Sequence, residues 1–296
     1  MLRAGSRNLI TDVDGLVVGN AEDETLRSGV SVVLCDTPSV ASVDVRGGAP
    51  GTRETDLLEP SCWVDRVDAI CLSGGSAFGL SAADGVMRWL REQGRGFVTR
   101  SIPVPIVAGA VIFDLDGPDP PWPDAAAGYA AAASALPDGW RSGRFGAGAG
   151  ASWGKLGGRP APGGLGTARA SLPAGELAAL LVVNALGEVV DQDTGQPLRP
   201  GSTDDAGRPS PAPGEHTTIG VLATTVPLDR AALVRLAIAA HDGLARAIRP
   251  AHTVFDGDTI IVLTTQEGHP TAEDVLLLGM VATDLVARAV ANGATP

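Results

Sequence analysis

Apolar residues recur along this chain at two spacings, alternate positions in some stretches and every third or fourth in others, and the switches between them mark out the elements. NLITDVDGLVVGN at 8–20 and GVSVVLCD at 29–36 have the β-branched content and glycine punctuation of short strands joined by turns. Residues 68–96 read as strand, glycine turn and helix, with Phe78, Ala82, Val86 and Leu90 spaced for one face and Gly94 and Gly96 ending it. VPIVAGAVIFDL at 104–115 reads as a buried strand running into the loop DGPDPPWPD, and AAAGYAAAASA at 125–135 as a helix on propensity. The glycine-dense stretch 143–158 excludes regular helix, and GTARASL at 166–172 and ELAALLVVNALG at 176–187 return to strand. The chain closes with a strand from Thr217, a helix over about 228–248 with Leu233, Leu236, Ala240 and Leu244 in register, a strand TIIVLTT at 259–265 and a helix over about 271–292. This is a βαβα tail.

Before that tail, DQDTGQPLRPGSTDDAGRPSPAPGE at 191–215 has almost no apolar content and five prolines, so burial there cannot offset the entropy of ordering; it is expected to be exposed and mobile. A tail with only two strands would have unpaired sheet edges, so a single α/β domain over 1–296, with one sheet system shared across the loop, is expected. Aromatic residues are 4% of the chain against 44% hydrophobic, which leaves the interior to Ala, Val, Leu and Ile. A net charge of -12 without any Lys/Arg cluster argues against nucleic acid as a partner. Cys35, Cys62 and Cys71 lack metal or redox spacing, and the opening MLRAGSRNLI lacks the apolar core of a signal peptide, so a reduced, cytoplasmic protein is expected. The longest apolar runs, such as LAALLVV at 177–183, fall far below the roughly 20 residues that span a bilayer, and no membrane association is expected.

Metal and serine-triad chemistry find no support: His216, His241, His252 and His269 form neither an H-E-x-x-H motif nor a Cys/His cluster, and no G-x-S-x-G elbow occurs. No metal or cofactor is expected. The turn SGGSAFG at 73–79, with Gly74 and Gly75 at its centre, reads either as a structural turn or as a set of backbone N–H groups for an anion, although it lacks a phosphate loop's lysine. The pair Thr217–Thr218 has two readings as well. Threonines at a strand start serve as β-formers and turn caps. A break of the chain between His216 and Thr217 would instead give Thr217 a free α-amine, whose reference pKa of about 7.7 to 8.0 lets it act as base to the residue's own hydroxyl.

The blocks AICLSGGSAFGLSAADGVMRWLREQGRGF, VPIVAGAVIFDL, GASWGKLGG, VVNALGEVVD, HTTIGVLAT and GLARAIRPAHTVFDGDT, taken in order, resemble the L-aminopeptidase/D-esterase (DmpA-type) family over nearly the whole chain. They are closest in flavour to the aminohexanoate-oligomer hydrolases. The resemblance implies a four-layer αββα sandwich like that of N-terminal-nucleophile hydrolases but with different connectivity. It also implies a precursor that cuts itself before Thr217, giving an alpha subunit of 1–216 and a beta subunit of 217–296 that stay together, and a tetramer of such pairs.

Carried over by motif, the catalytic positions are Thr217, Lys155 in WGKLGG, Asn184 in VVNALG, and Asp256 and Asp258 in FDGD. Asp256 and Asp258 would orient the Thr217 hydroxyl, Lys155 would neutralise the acid pair, and Asn184 would donate to the oxyanion. Phe113 lines the pocket or packs in the core. The position before the cut holds His216, where many relatives carry Asn. The expected function is hydrolysis of amide bonds in small peptides, amino-acid amides or linear amino-acid oligomers; the alternative is an uncut, non-catalytic homologue that binds a small molecule or a partner.

Overall fold

The computed structural model describes residues 7–23, 27–116, 118–138, 142–158, 160–199 and 215–295. The main sheet has nine strands. They are β1 (Leu16–Asp23), β2 (Ser28–Val45), β3 (Thr52–Arg53), β4 (Arg66–Ser73), β5 (Val107–Val111), β6 (Leu165–Leu172), β7 (Gly175–Asn184), β8 (Thr217–Thr224) and β9 (Thr259–Thr264). The helices are α1 (Ala82–Glu92), α2 (Ala125–Ala133), α3 (Arg230–Ala247) and α4 (Ala272–Ala294). Strand order is β3-β5-β4-β2-β9-β8-β7-β6, with β1 on β2.

The sheet folds into two leaves because β2 belongs to both. Its first half pairs with β1 and β4 and its second half with β9; the register shifts between Leu34 and Ser39, where Asp36, Thr37 and Pro38 are exposed. Successive side chains on a strand point to opposite faces, so each leaf buries both. On β7, Leu177, Ala179, Leu181 and Val183 face α3 and α4, while Ala178, Leu180 and Val182 face the other leaf. On β4, Ile70 and Leu72 turn to the same inter-leaf layer and Ala69 and Cys71 to α1 and α2. The result is helices, leaf, leaf, helices: the four-layer αββα sandwich expected from the sequence. Each fully buried Leu or Val across these layers contributes about 1.5–3 kcal/mol.

Leu233, Leu236, Ala240 and Leu244 lie buried along α3 as their spacing requires. Asp229 caps that helix through the Ala232 N–H, and Thr271 with Asp274 forms a capping box on α4. The expected face of α1 is right for Ala82, Val86 and Leu90 and wrong for Phe78. Residues 76–81 form a 3-10 turn, which rotates Phe78 outward to 57% exposure, where it stacks on Trp122 at 4.5 Å. The strand expected over 29–36 runs on to Val45. The polar loop opens as a hydrogen-bonded turn around Asp191, whose side chain accepts from Thr194, and 200–214, most of that expected loop, lie outside the described residues. Among the described residues no helix is long and apolar enough to cross a membrane.

Candidate active site

Thr217 is the first residue of β8 and stands opposite Asn184, the last of β7. By alternation both side chains lie on the face that carries Ile219, Val221, Leu180 and Val182, so they close one end of the inter-leaf layer. Thr217 is 3% exposed, and its hydroxyl donates to the carbonyl oxygen of His216 at 2.5 Å. The same carbonyl accepts the backbone N–H of Gly257 at 2.9 Å. A Cβ on Gly257 would come within 2.8 Å of the Thr217 hydroxyl oxygen, so only glycine lets this backbone approach.

Gly257 sits between the two predicted acids. The turn that carries all three is held from below by the loop after β2: Arg46 N–H donates to the Asp258 carbonyl at 2.9 Å and Ala49 N–H to the Asp256 carbonyl at 2.8 Å. Asp258 Oδ1 accepts the Thr218 N–H at 2.7 Å, clamping the strand one residue beyond Thr217. Asp256, buried and bridged to His216, accepts the Thr253 N–H at 2.7 Å. Burial first, and then the charge of Asp258, raise its carboxyl above the ordinary range.

Lys155 projects from a one-turn 3-10 segment whose flanks, Gly154 and Gly158, both have positive φ. Gly154 and Leu156 N–H groups bind the carbonyls of Gly187 and Leu186, which aims the lysine across the end of β7. Its Nζ donates to Asn184 Oδ1 at 2.8 Å and to the Glu215 carbonyl at 3.1 Å. Burial pulls its pKa down to about 8, against the opposing pull of Glu215 and Asp114. Asn184 is fully buried: its Oδ1 also accepts the Ser152 N–H, and its Nδ2 donates to the Phe113 carbonyl at 2.9 Å. The five predicted residues therefore gather at the facing ends of β7 and β8, around His216 and Thr217.

Across residues 8–295 the chain matches the model of peptidase family S58. The chain belongs to peptidase family S58. It is 46% identical to an uncharacterized aminopeptidase of Mycobacterium leprae over 92% of this chain and 82% of that protein. It is 32% identical to a 6-aminohexanoate-oligomer endohydrolase of Kocuria over 89% of this chain and 76% of that one. Its fold is that of the L-aminopeptidase D-Ala-esterase/amidase of Ochrobactrum anthropi, with a TM-score of 0.76 and 21% identity over 99% of this chain and 87% of the other. S58 membership places its chemistry among hydrolases of peptide and amide bonds.

Three assignments made from the sequence meet different partners in this S58 structure. The carboxylates of Asp256 and Asp258, expected to orient the Thr217 hydroxyl, bond instead to the Thr253 N–H and to Thr218 and His252, and the hydroxyl turns to the His216 carbonyl. The basic side chain against the acids is His252, whose Nδ1 lies 2.7 Å from Asp258 Oδ2; Lys155 makes no ion pair among the described residues. The N–H on the His216 carbonyl comes from Gly257, while Asn184 donates to Phe113. Phe113 thus joins the site through its backbone. At the turn of Gly74 and Gly75 the backbone is occupied by the chain's own Asp114: Gly75 N–H donates to Asp114 Oδ1 at 2.7 Å, and a Cβ on Gly74 would come within 2.3 Å of Asp114 Oδ2. Burial raises the Asp114 carboxyl, and Lys155 opposes that rise. Gly257 was legible as a glycine between two acids; nothing in the sequence singled out His252 or Asp114. His216 is 3% exposed, with neither ring nitrogen hydrogen-bonded among the described residues, and burial followed by the charge of Lys155 lowers its pKa to about 4.

Proposed function

We propose that this S58 chain is a self-processing amide hydrolase whose nucleophile is Thr217, acting after the peptide bond from His216 has been cut. One observation carries the reading: the carbonyl of His216 is held between the Thr217 hydroxyl and the Gly257 N–H. A hydroxyl beside the carbonyl and an N–H on the oxygen that gains charge are two of the groups that a tetrahedral intermediate requires.

In the first reaction, Thr217 Oγ1 adds to the His216 carbonyl carbon and the bond to the Thr217 nitrogen breaks, leaving an ester and a free α-amine. Water then cleaves the ester, releasing His216 as a carboxylate. Before the cut no α-amine exists; the base proposed for the hydroxyl proton is Lys155, which is held beside the cut by the Glu215 carbonyl and Asn184 and whose pKa is lowered to about 8. Afterwards the α-amine shares that role, and the same hydroxyl attacks the amide of a small peptide, an amino-acid amide or a linear amino-acid oligomer. The names of the relatives support this range of substrates.

Intact-mass measurement tests the reading. Fragments of about 22 and about 8 kDa, scaled by residue number from the whole chain, with Thr217 at the new N-terminus, are expected. A chain that stays whole through long incubation at neutral pH would point to the uncut, binding-protein alternative, and amide hydrolysis that survives Thr217→Ala would remove Thr217 as nucleophile.

A further inference from the structure

Asp258 divides its carboxylate between two tasks. Oδ1 takes the Thr218 N–H, and Oδ2 takes both the backbone N–H of His252 at 3.0 Å and a contact with its ring Nδ1 at 2.7 Å. His252 brings two groups onto one oxygen because its φ is 58°, a left-handed conformation that costs a non-glycine residue energy and needs support from its surroundings. The other ring nitrogen, Nε2, faces the carbonyl of His241 at 3.4 Å. A carbonyl can only accept, and Asp258 is already an acceptor on both oxygens. Both contacts are satisfied at once when each ring nitrogen carries a proton.

We propose that His252 is a positioning residue of this site: as an imidazolium it fixes Asp258, and through Asp258 it fixes the backbone from which Thr217 projects. The inference rests on Thr217 being the nucleophile. The support runs through three elements. His241 of α3 packs edge-on against the His252 ring, with centroids 4.9 Å apart, and its own Nε2 meets the Asp44 carbonyl on β2 at 2.9 Å. The charged and titratable groups around His252 are Asp258 and Asp256 from its own loop, His241 from α3, and Arg46 paired with Asp44 at the end of β2. Burial and Arg46 disfavour the proton, and Asp258 and the His241 carbonyl outweigh them, so the ring holds its proton above the ordinary histidine pKa.

The deletion of choice is His252→Gly, which keeps the left-handed backbone and removes the ring; His252→Asn keeps both that backbone and an N–H donor near the place of Nδ1. His252→Gly should slow self-cleavage and amide turnover by roughly 10- to 100-fold, with the loss in kcat and KM close to the parent, and His252→Asn should recover most of it. Parent-like rates in His252→Gly, or no recovery in a folded His252→Asn, would overturn the inference. Ring 15N spectra of the Thr217→Ala chain give a readout that does not depend on the variants folding: both His252 nitrogens should be protonated at pH 7, and a neutral tautomer there would overturn it as well. A parent that neither cuts itself nor hydrolyses amides sinks the reading of Thr217 instead, and the spectrum still decides the state of His252.

Discussion

Asn184 and Thr217 face each other across the antiparallel pair β7 and β8, each at the end of its strand, and Asn184 is the residue on which Lys155 rests. The lysine is thereby tied to the end of β7, across from the residue that carries the hydroxyl. Asn184→Asp keeps the acceptor for Lys155, adds a negative charge next to it and removes the donor to the Phe113 carbonyl. The added charge stabilises the ammonium and raises the Lys155 pKa above about 8. Self-cleavage at pH 7 should slow, and its pH midpoint should move upward; a gel time course at several pH values checks both.

With Lys155 as the base proposed for the cut, its pKa of about 8 should set the shape of that profile in the parent chain. Lys155 is a competent base only when deprotonated, so the rate of cutting should rise about tenfold per pH unit below the midpoint and level off above it. Lys155→Met, which keeps length and removes the amine, should abolish the rise. Single-turnover cleavage of protein prepared at low pH and shifted upward measures it.

Gly257→Ala should stop the cut almost entirely. Its Cβ would press on the Thr217 hydroxyl at 2.8 Å and on the Ala49 carbonyl at 2.9 Å, so the hydroxyl must leave or the oxyanion donor must shift. Losing such a donor costs roughly 10²- to 10³-fold in rate, and the overpacking costs about 1–3 kcal/mol of stability. Gel analysis beside a thermal melt separates the two effects.

His216 gives the uncut chain a weakness in acid. Its folded pKa, about 4, lies below the ordinary 6.5, so between those values the unfolded chain binds the proton first. Stability from this residue is complete above pH 6.5 and declines as pH falls towards 4. In a Thr217→Ala background, His216→Phe removes both unpaired ring nitrogens and should raise Tm more at pH 5 than at pH 7.5. Calorimetry at the two pH values checks the difference.

Elements whose apolar positions fit a single period were legible in the sequence. The α3 face came directly from Leu233, Leu236, Ala240 and Leu244, and β7 from its unbroken apolar run. Phe78 was misplaced because a 3-10 turn advances fewer residues per turn than an α-helix and carries it off the stripe. The second half of β2 was unread because Asp36, Thr37 and Pro38 interrupt it with exposed polar residues and a proline, as the end of a strand would. At the site, the side chains named by motif do converge, whereas the backbone groups that complete it, the Gly257 N–H and the carbonyls of Glu215 and Phe113, have no identity in a sequence. His252 gains its importance from a φ of 58° and from neighbours on two other elements, neither of which any local pattern encodes.

The order β2-β9-β8-β7 places the strands that follow His216 in the middle of a leaf, hydrogen-bonded on each side to strands that precede it. α3 and α4 lie over the same leaf and share an apolar layer with β7. A nick before Thr217 would thus leave a keystone in its arch: the piece could not slide out without unzipping two ladders and wetting that layer. On this topology covalent continuity there would be dispensable for holding the molecule together, and a new chain end at Thr217 would stay fixed between β7 and β9.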